Sequence, residues 1–212
     1  MSMSATPHSG APGVGAMGVL TENELGSAAQ RDRRKRILDA TIALASKGGY
    51  DAVQMRAVAE RADVALGTLY RYFPSKIHLL VASLVREFER SQDRLERMSI
   101  PGDTPYERVL YVLRRSTRAL QRDPRLTEAM TRAFMFADAS AAAEVDTVGR
   151  LTDRMFAKAM NGGEPTEEQL AIARVISDVW LSNLVAWVTG RASATDVANR
   201  LELTVRLLLG RQ

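Results

Sequence analysis

Apolar positions recur three and four residues apart through nearly the whole chain after residue 26, which predicts an all-α protein. Ile37, Leu38, Thr41, Ile42 and Ala45 mark the inner face of a first helix over 27–47, and Gly48-Gly49 is its stop. Met55, Val58, Ala59 and Ala62 mark a second helix over 54–62. Asp63-Val64-Ala65 then turns into a short helix that Pro74 ends, because proline biases Phe73 away from the helical region. A helix of about two turns is unstable alone. Leu69 and Phe73 supply the face that neighbours must hold, which leaves Thr68, Arg71 and Tyr72 outward and Tyr70 on the flank.

Ser75 can cap the next helix, a long one over 75–97 with Leu79, Leu80, Leu84, Val85 and Phe88 inward. After the break at 100–103, helices are predicted over 105–121 (Val109, Leu110, Leu113, Thr117, Leu120), 124–137 (Met130, Ala133, Phe134, Ala137) and 140–160 (Val145, Val148, Leu151, Met155, Phe156). The helix over 166–189 opens with a capping box, Thr166 with Gln169. Ile172, Ile176, Val179, Trp180, Asn183 and Trp187 share one face; Ala173, Leu181, Leu184 and Val188 cover much of the rest. Only Arg174, Asp178 and Ser182 form a polar strip, so the helix must be buried on most sides. One small chain hardly covers it. A second copy is therefore expected, with this helix and the last one (193–209: Val197, Leu201, Val205 and Leu208 on one side, Leu203 and Leu207 on the other) forming a four-helix bundle across a homodimer.

The 212 residues divide into a tail over 1–26, rich in Ser, Gly and Ala and expected to be flexible, a domain over 27–76 and a domain over 77–212. No apolar run approaches the roughly 18 residues of a membrane span, and the tail has no basic start like that of a signal peptide. The absence of cysteine excludes disulfides and thiolate chemistry and fits a reducing cytoplasm. Charge sharpens the picture. Residues 27–76 carry ten Lys/Arg against five Asp/Glu, whereas the rest of the chain is nearly balanced. The run Arg31-Asp32-Arg33-Arg34-Lys35-Arg36 lies near a helix start, where the macrodipole disfavours cations. It reads either as a solvated run or as an arm for phosphates, and the short exposed helix beside it points to a polyanion.

Helix, three-residue turn, helix is the helix-turn-helix pattern, whose second helix lies in the major groove. Ile37-Leu38-Asp39-Ala40, Gly48-Gly49-Tyr50, Val58-Ala59-Glu60-Arg61-Ala62 and Gly67-Thr68-Leu69-Tyr70-Arg71-Tyr72-Phe73-Pro74-Ser75-Lys76 together resemble the DNA-binding domain of TetR-type repressors. Two positions depart from that pattern: Asp63 stands where the family usually has Gly, and Ala65 where it often has Ser. The resemblance implies that Thr68 and Arg71 face base edges, Arg71 suited to guanine. It implies phosphate contacts for Gln54, Tyr70, Tyr72 and Lys76, with Arg56 at the groove rim and Arg34 in the basic arm. Tyr70 could instead pack inward.

No catalytic constellation, cofactor motif or metal set is present; with two histidines, His78 reads as a satisfied structural residue rather than a ligand. The second domain has an apolar helical interior with a few polar groups, the profile of a ligand pocket. Leu113, Thr117, Met130, Phe134, Met155, Trp180, Asn183 and Trp187 are its candidate lining, although Asn183 could equally be a buried contact between helices. The segments 126–133, 136–141 and 173–184 resemble actinobacterial TetR-type repressors of cholesterol-catabolism genes. That resemblance implies a homodimer on double-stranded operator DNA, released by a steroid-derived CoA thioester. Arg115, Arg118 and Arg122, a row that otherwise reads as a solvated face, would then meet the phosphates at the pocket mouth. The long helix from Ser75 is the expected lever between domains. The rival readings are an acyl-CoA or lipid carrier or enzyme, and a ligand-independent architectural DNA-binding protein.

Overall fold

The computed structural model describes residues 22–210. Among them the chain is all-α: α1 (Glu22–Ala52), α2 (Met55–Ala62), α3 (Leu66–Tyr72), α4 (Lys76–Glu96), α5 (Pro105–Gln121), α6 (Pro124–Met135), α7 (Ala142–Asn161), α8 (Glu167–Val188) and α9 (Ala194–Leu209), with one 3-10 turn at Ala139–Ala141. The expected tail lies outside the described residues as far as residue 21, and α1 starts at Glu22, five residues before the predicted start. Apolar spacing gave no signal there, because residues 22–30 are mostly polar or small. Gly48 and Gly49 interrupt α1 with non-helical torsions, and Gly49 takes φ 69°, so the double glycine does end the first helix proper.

Local chemistry sets the other boundaries. Ser75, Thr104, Asp123, Thr166 and Ser193 each accept a backbone N–H in the first turn of the helix they precede. Thr104 with Glu107, Thr166 with Gln169 and Ser193 with Asp196 form complete capping boxes. The joint between α2 and α3 is closed by Asp63 in the left-handed region (φ 51°), with its own N–H and that of Val64 bonded back to Glu60 and Ala59. Left-handed torsions cost a non-glycine residue about 1–2 kcal/mol, somewhat less for Asp. Asp63 gains only a 3.8 Å exposed pairing with Arg36 in return. Asp63→Gly is therefore expected to raise the unfolding free energy by about 0.5–1 kcal/mol, read as a higher urea midpoint at unchanged slope.

Two apolar clusters organise the molecule. The first joins α1, α2, α3 and the start of α4 through Ile37, Leu38, Val58, Leu69, Phe73, Leu79 and Leu80, and it runs on into α6 and α7 through Ala129, Met130, Ala133 and Val148. The second joins α5, α7, α8 and α9 through Leu113, Phe156, Met160, Ile176, Trp180, Val197, Leu201 and Val205. Phe88 of α4 packs against both. Helix α8 is, by length and composition, apolar enough to cross a membrane. Arg174 and Asp178 interrupt it, and it is packed between α7 and α9 through Ile176, Trp180 and Leu184. On α9, Leu208 is exposed and Leu209 takes the inward position expected of it. Val175 (47% exposed), Leu203 (44%) and Leu207 (67%) leave an apolar face on α8 and α9 without cover among the described residues.

Candidate DNA-binding surface and effector cavity

Helix α3 has the exposure of a reading helix. Leu69 is fully buried and Phe73 nearly so, which fixes the seven-residue helix from beneath. Tyr70 and Arg71 are exposed, and Arg71 leans on Thr68, its Nη2 donating to Oγ1 over 3.4 Å. Tyr70 at 47% exposure does not pack inward. Tyr72 is half-buried, its ring 6.3 Å from that of Phe73. The Arg34 guanidinium lies 5.7 Å from the centre of the Phe73 ring, while the residue itself stays exposed. Gln54 precedes α2 without using its side chain as a cap and is exposed, as is Arg56 close by. Ala65, at the corresponding position before α3, offers no side-chain hydrogen bond.

Lys76 is placed differently from the phosphate grip that the resemblance implies. Its ammonium donates to the Tyr50 carbonyl over 3.1 Å and sits 3.9 Å from the centre of the Tyr50 ring. Burial pushes its pKa below the ordinary lysine value, and Asp51 opposes that shift. The acid was invisible in sequence because it lies twenty-five residues upstream. His78 is satisfied on both ring nitrogens, Nδ1 within 2.9 Å of Ser75 Oγ and Nε2 within 3.1 Å of the Ser140 carbonyl. Among the described residues no cluster of three or more His, Asp and Glu side chains stands ready for a metal.

Above this domain, α4, α6, α7 and α8 enclose a cavity of about 490 Å³. Leu84, Phe88, Met130, Phe134, Val145, Val148, Trp180, Leu181 and Leu184 give it apolar walls. A smaller space of about 140 Å³ between α4, α5 and α6 shares Leu84, Phe88, Leu120, Thr127, Met130 and Trp180 with it. The two spaces adjoin at these residues, Trp180 among them, and together make up the candidate effector channel. That indole is pinned by edge contacts with Phe88 and Phe156, and its N–H donates to Thr117 Oγ1 over 2.9 Å.

Of the eight expected lining residues, Met130, Phe134 and Trp180 reach the channel. Thr117 stands one layer behind, holding Trp180. Leu113 and Met155 belong to the packed second cluster, and Trp187 lies at its edge. Asn183 is buried but opens onto a surface groove with Met135, Leu181, Arg191 and Arg200; its Nδ2 donates to the Val179 carbonyl and its Oδ1 has no partner among the described residues. Helical spacing shows that a position is buried, but packed core and cavity wall look alike to it. The wall from α7 was missed for this reason.

The channel's two ends differ in charge. Toward α7 and α8 the rim carries Asp146, Asp153 and Asp178 against Arg150 and Arg174, with Arg174 3.7 Å from Asp153. Toward α4 and α5 it carries Glu87, Arg94 and Asp123. Here both acids are engaged: Glu87 with Arg90 at 2.9 Å, Asp123 as the cap of α6. Arg115, Arg118 and Arg122 do not line the channel. Arg115 and Arg118 are exposed on α5, adjacent in sequence to Ser116 and Ala119, which do line this end, and Arg122 is exposed just after the helix.

Helix α6 carries contacts in two directions. Thr127, Met130, Thr131 and Phe134 face the cavity. Its other side grips the joint between α1 and α2. Glu128 accepts the Tyr50 N–H over 3.3 Å, Arg125 donates to the Lys47 carbonyl, and Arg132 sits 4.4 Å from the Tyr50 ring centre and 3.9 Å from Asp51. Tyr50 is thus contacted by two cations, Lys76 and Arg132. The sequence reading gave these α6 charges no role and named α4 as the lever. Helix α4 bridges the domains too, with Leu84 and Phe88 on the cavity and Arg86 pairing with Asp39 at 2.9 Å, and α6 is a second helix with one face on the cavity and another on the helix-turn-helix domain.

Residues 37–82 match the family described as "Bacterial regulatory proteins, tetR family", and residues 102–208 match "Tetracyclin repressor-like, C-terminal domain". The chain is similar to proteins named HTH-type transcriptional repressor KstR. It is 73% identical to that of Rhodococcus jostii over 195 residues (92% of this chain, 91% of that protein). It is 64% identical to that of Mycobacterium tuberculosis over 217 residues (100% and 99%). Among solved structures, a TetR transcriptional regulator from Rhodococcus sp. RHA1 superposes with a TM-score of 0.75 at 37% identity, covering 87% of this chain and 99% of that one. The fold is also that of Thermus thermophilus FadR, solved with lauroyl-CoA (TM-score 0.66, 22% identity, 82% and 92% covered). These relatives are named repressors rather than enzymes, and on the matches to both domains the chain belongs to the TetR family of transcriptional regulators.

Proposed function

We propose that the chain is an effector-responsive repressor that binds palindromic operator DNA as a homodimer and is released by a steroid-derived CoA thioester, so controlling genes of lipid and cholesterol catabolism in the cytoplasm. The observation that carries this reading is α6, whose cavity face and helix-turn-helix face lie on one twelve-residue rod. A ligand that fills the cavity in one position of α6 and not another shifts the balance between DNA-competent and incompetent dimers. In this reading Thr68 and Arg71 meet base edges, while Arg34, Gln54, Arg56, Tyr70 and Tyr72 meet phosphates. Lys76 joins them only by giving up the Tyr50 carbonyl.

The dimer reading rests on the apolar face of α8 and α9 that is left uncovered among the described residues, which a second copy would bury. Two reading helices then address half-sites about 34–36 Å apart. The CoA reading rests on the channel. Its walls suit a bulky apolar acyl group, and its α4–α5 end has Arg94 on the rim and Arg115, Arg118 and Arg122 alongside, in reach of an anionic pantetheine phosphate tail. The α7–α8 end, where three aspartates face two arginines, suits it less. That Thermus thermophilus FadR was solved with lauroyl-CoA supports the capacity of this fold to house a CoA thioester; the steroid portion rests on the resemblance to steroid-catabolism repressors.

A titration of the dimer against the DNA upstream of its own gene, with and without steroid acyl-CoA, tests the proposal. The expected result is a short palindromic footprint whose affinity falls by roughly 5- to 150-fold with the thioester. A footprint spread over any duplex would favour an architectural protein, and an operator affinity indifferent to acyl-CoA would end the effector reading.

A further inference from the structure

Outside the effector cavity, α8 borders a groove of about 470 Å³. Leu181, Val185 and Ala186 of α8 give it an apolar floor, together with Met135 at the end of α6, which is 52% exposed. Its polar groups are poorly matched within the chain. Asn183 is 7% exposed, and its Oδ1 accepts no hydrogen bond among the described residues. Asp178 has neither an ion pair nor a hydrogen bond among them, and Arg191 and Arg200 have no carboxylate at ion-pair distance; the Arg191 side chain donates to Thr189 Oγ1 over 3.0 Å. Asp178 and Leu181 also line the effector cavity, so groove and cavity share a wall. Val175, Asp178, Ser182 and Val185 recur at helical spacing, which makes the groove continuous with the uncovered face of α8.

We infer that a second copy of this chain seats in this groove and that, through the shared wall, the two effector sites of the dimer bind cooperatively. The inference rests on the dimer and effector readings above. A second copy is the occupant that the groove's charges fit: an isologous contact must complement itself, and this one has an acid toward one end and two arginines toward the other. A two-fold axis turns the copy end for end, so its arginine end comes to Asp178. A guanidinium arriving there also supplies the donor that the buried Asn183 oxygen lacks. The coupling follows from α6 and Leu181. Thr127, Met130, Thr131 and Phe134 of α6 face the cavity, and the same helix ends on Met135 in the groove. An effector that displaces α6 or Leu181 therefore reshapes the seat of the second copy. A dimer with one site filled has one altered seat against one unaltered seat. The first effector bears the cost of repacking the contact, and the second meets a contact already repacked.

Calorimetric titration of the full chain with a steroid acyl-CoA thioester tests this, with sedimentation velocity to establish the dimer. After the statistical factor, the wild type is expected to bind the second molecule at least about fivefold more tightly than the first. Met135→Ala, outside the cavity, is expected to stay dimeric and to bring that ratio below about twofold. Arg191→Glu plus Arg200→Glu, both exposed, sets carboxylates against the acid of the second copy and is expected to raise the dimer dissociation constant by about tenfold or more. Equal affinities in a dimeric wild type, a ratio that Met135→Ala leaves unchanged, or a dimer indifferent to the charge reversal would overturn the inference and leave the dimer and effector readings standing. A wild type that is monomeric, or that binds no thioester, removes those readings and this inference with them.

Discussion

Arg71→Ala is expected to weaken operator binding by roughly 30-fold to 10⁴-fold while leaving binding to unrelated duplex nearly unchanged. The reasoning starts from α3. Its inner residues, Leu69 and Phe73, are locked in the first apolar cluster, so the backbone beneath Arg71 is rigid. The guanidinium is exposed and lightly tethered to Thr68 Oγ1, a contact it can exchange for a base edge at little cost. A bidentate arginine–guanine pair contributes about 1–3 kcal/mol of discrimination. Both subunits lose one, so the change is about 2–6 kcal/mol if the half-sites are independent. Phosphate contacts behave otherwise: Tyr72→Phe should lower specific and non-specific affinity alike. Competition titrations at fixed salt distinguish the two. An Arg71→Ala protein that loses both kinds of binding equally would place this arginine on phosphate instead.

Removing the α6 grip is expected to leave operator and effector binding in place but to disconnect them. In Glu128→Ala plus Arg132→Ala, the Tyr50 N–H loses its acceptor, and the ring and Asp51 lose a cation. Both altered side chains are partly exposed at the domain surface, and the cavity walls are untouched. If coupling in the wild type lies near the upper end of the usual range, about 100-fold, the double variant is expected to fall below about fivefold. Linkage makes the check reciprocal: operator DNA should also cease to weaken effector binding, by the same factor. A variant that melts at the wild-type temperature, binds both partners and retains full coupling would remove α6 from the account and return the role to α4.

The helices were readable because each carries its apolar residues at helical spacing and is bounded by a strong local signal. Gly48-Gly49, Pro74, Thr104, Asp123, Thr166 and Ser193 are such signals, and all act within a few residues. The reading helix was readable for a further reason: it is short, and the identity of each residue decides its role. The cavity was less so. Leu113 and Met130 follow the same period and are equally buried, yet one packs against α9's helix cluster and the other walls a channel, a difference made by distant helices. Lys76 and Tyr50 are twenty-six residues apart and Glu128 and Tyr50 seventy-eight, so neither contact leaves a local trace.

The claim that effector occupancy reaches the reading helices through α6 is tested most directly by the distance between them. The chain has no cysteine, so Glu60→Cys, on the exposed face of α2, gives one spin label per subunit. Pulsed electron resonance then measures the separation across the dimer. The expected result is a distance distribution that moves by several ångströms, on the order of one helical turn, when steroid acyl-CoA binds, and that stays fixed when Glu128→Ala and Arg132→Ala are added although the ligand still binds. A distribution that shifts equally in both proteins, or one that does not shift while the thioester releases the operator, would contradict it.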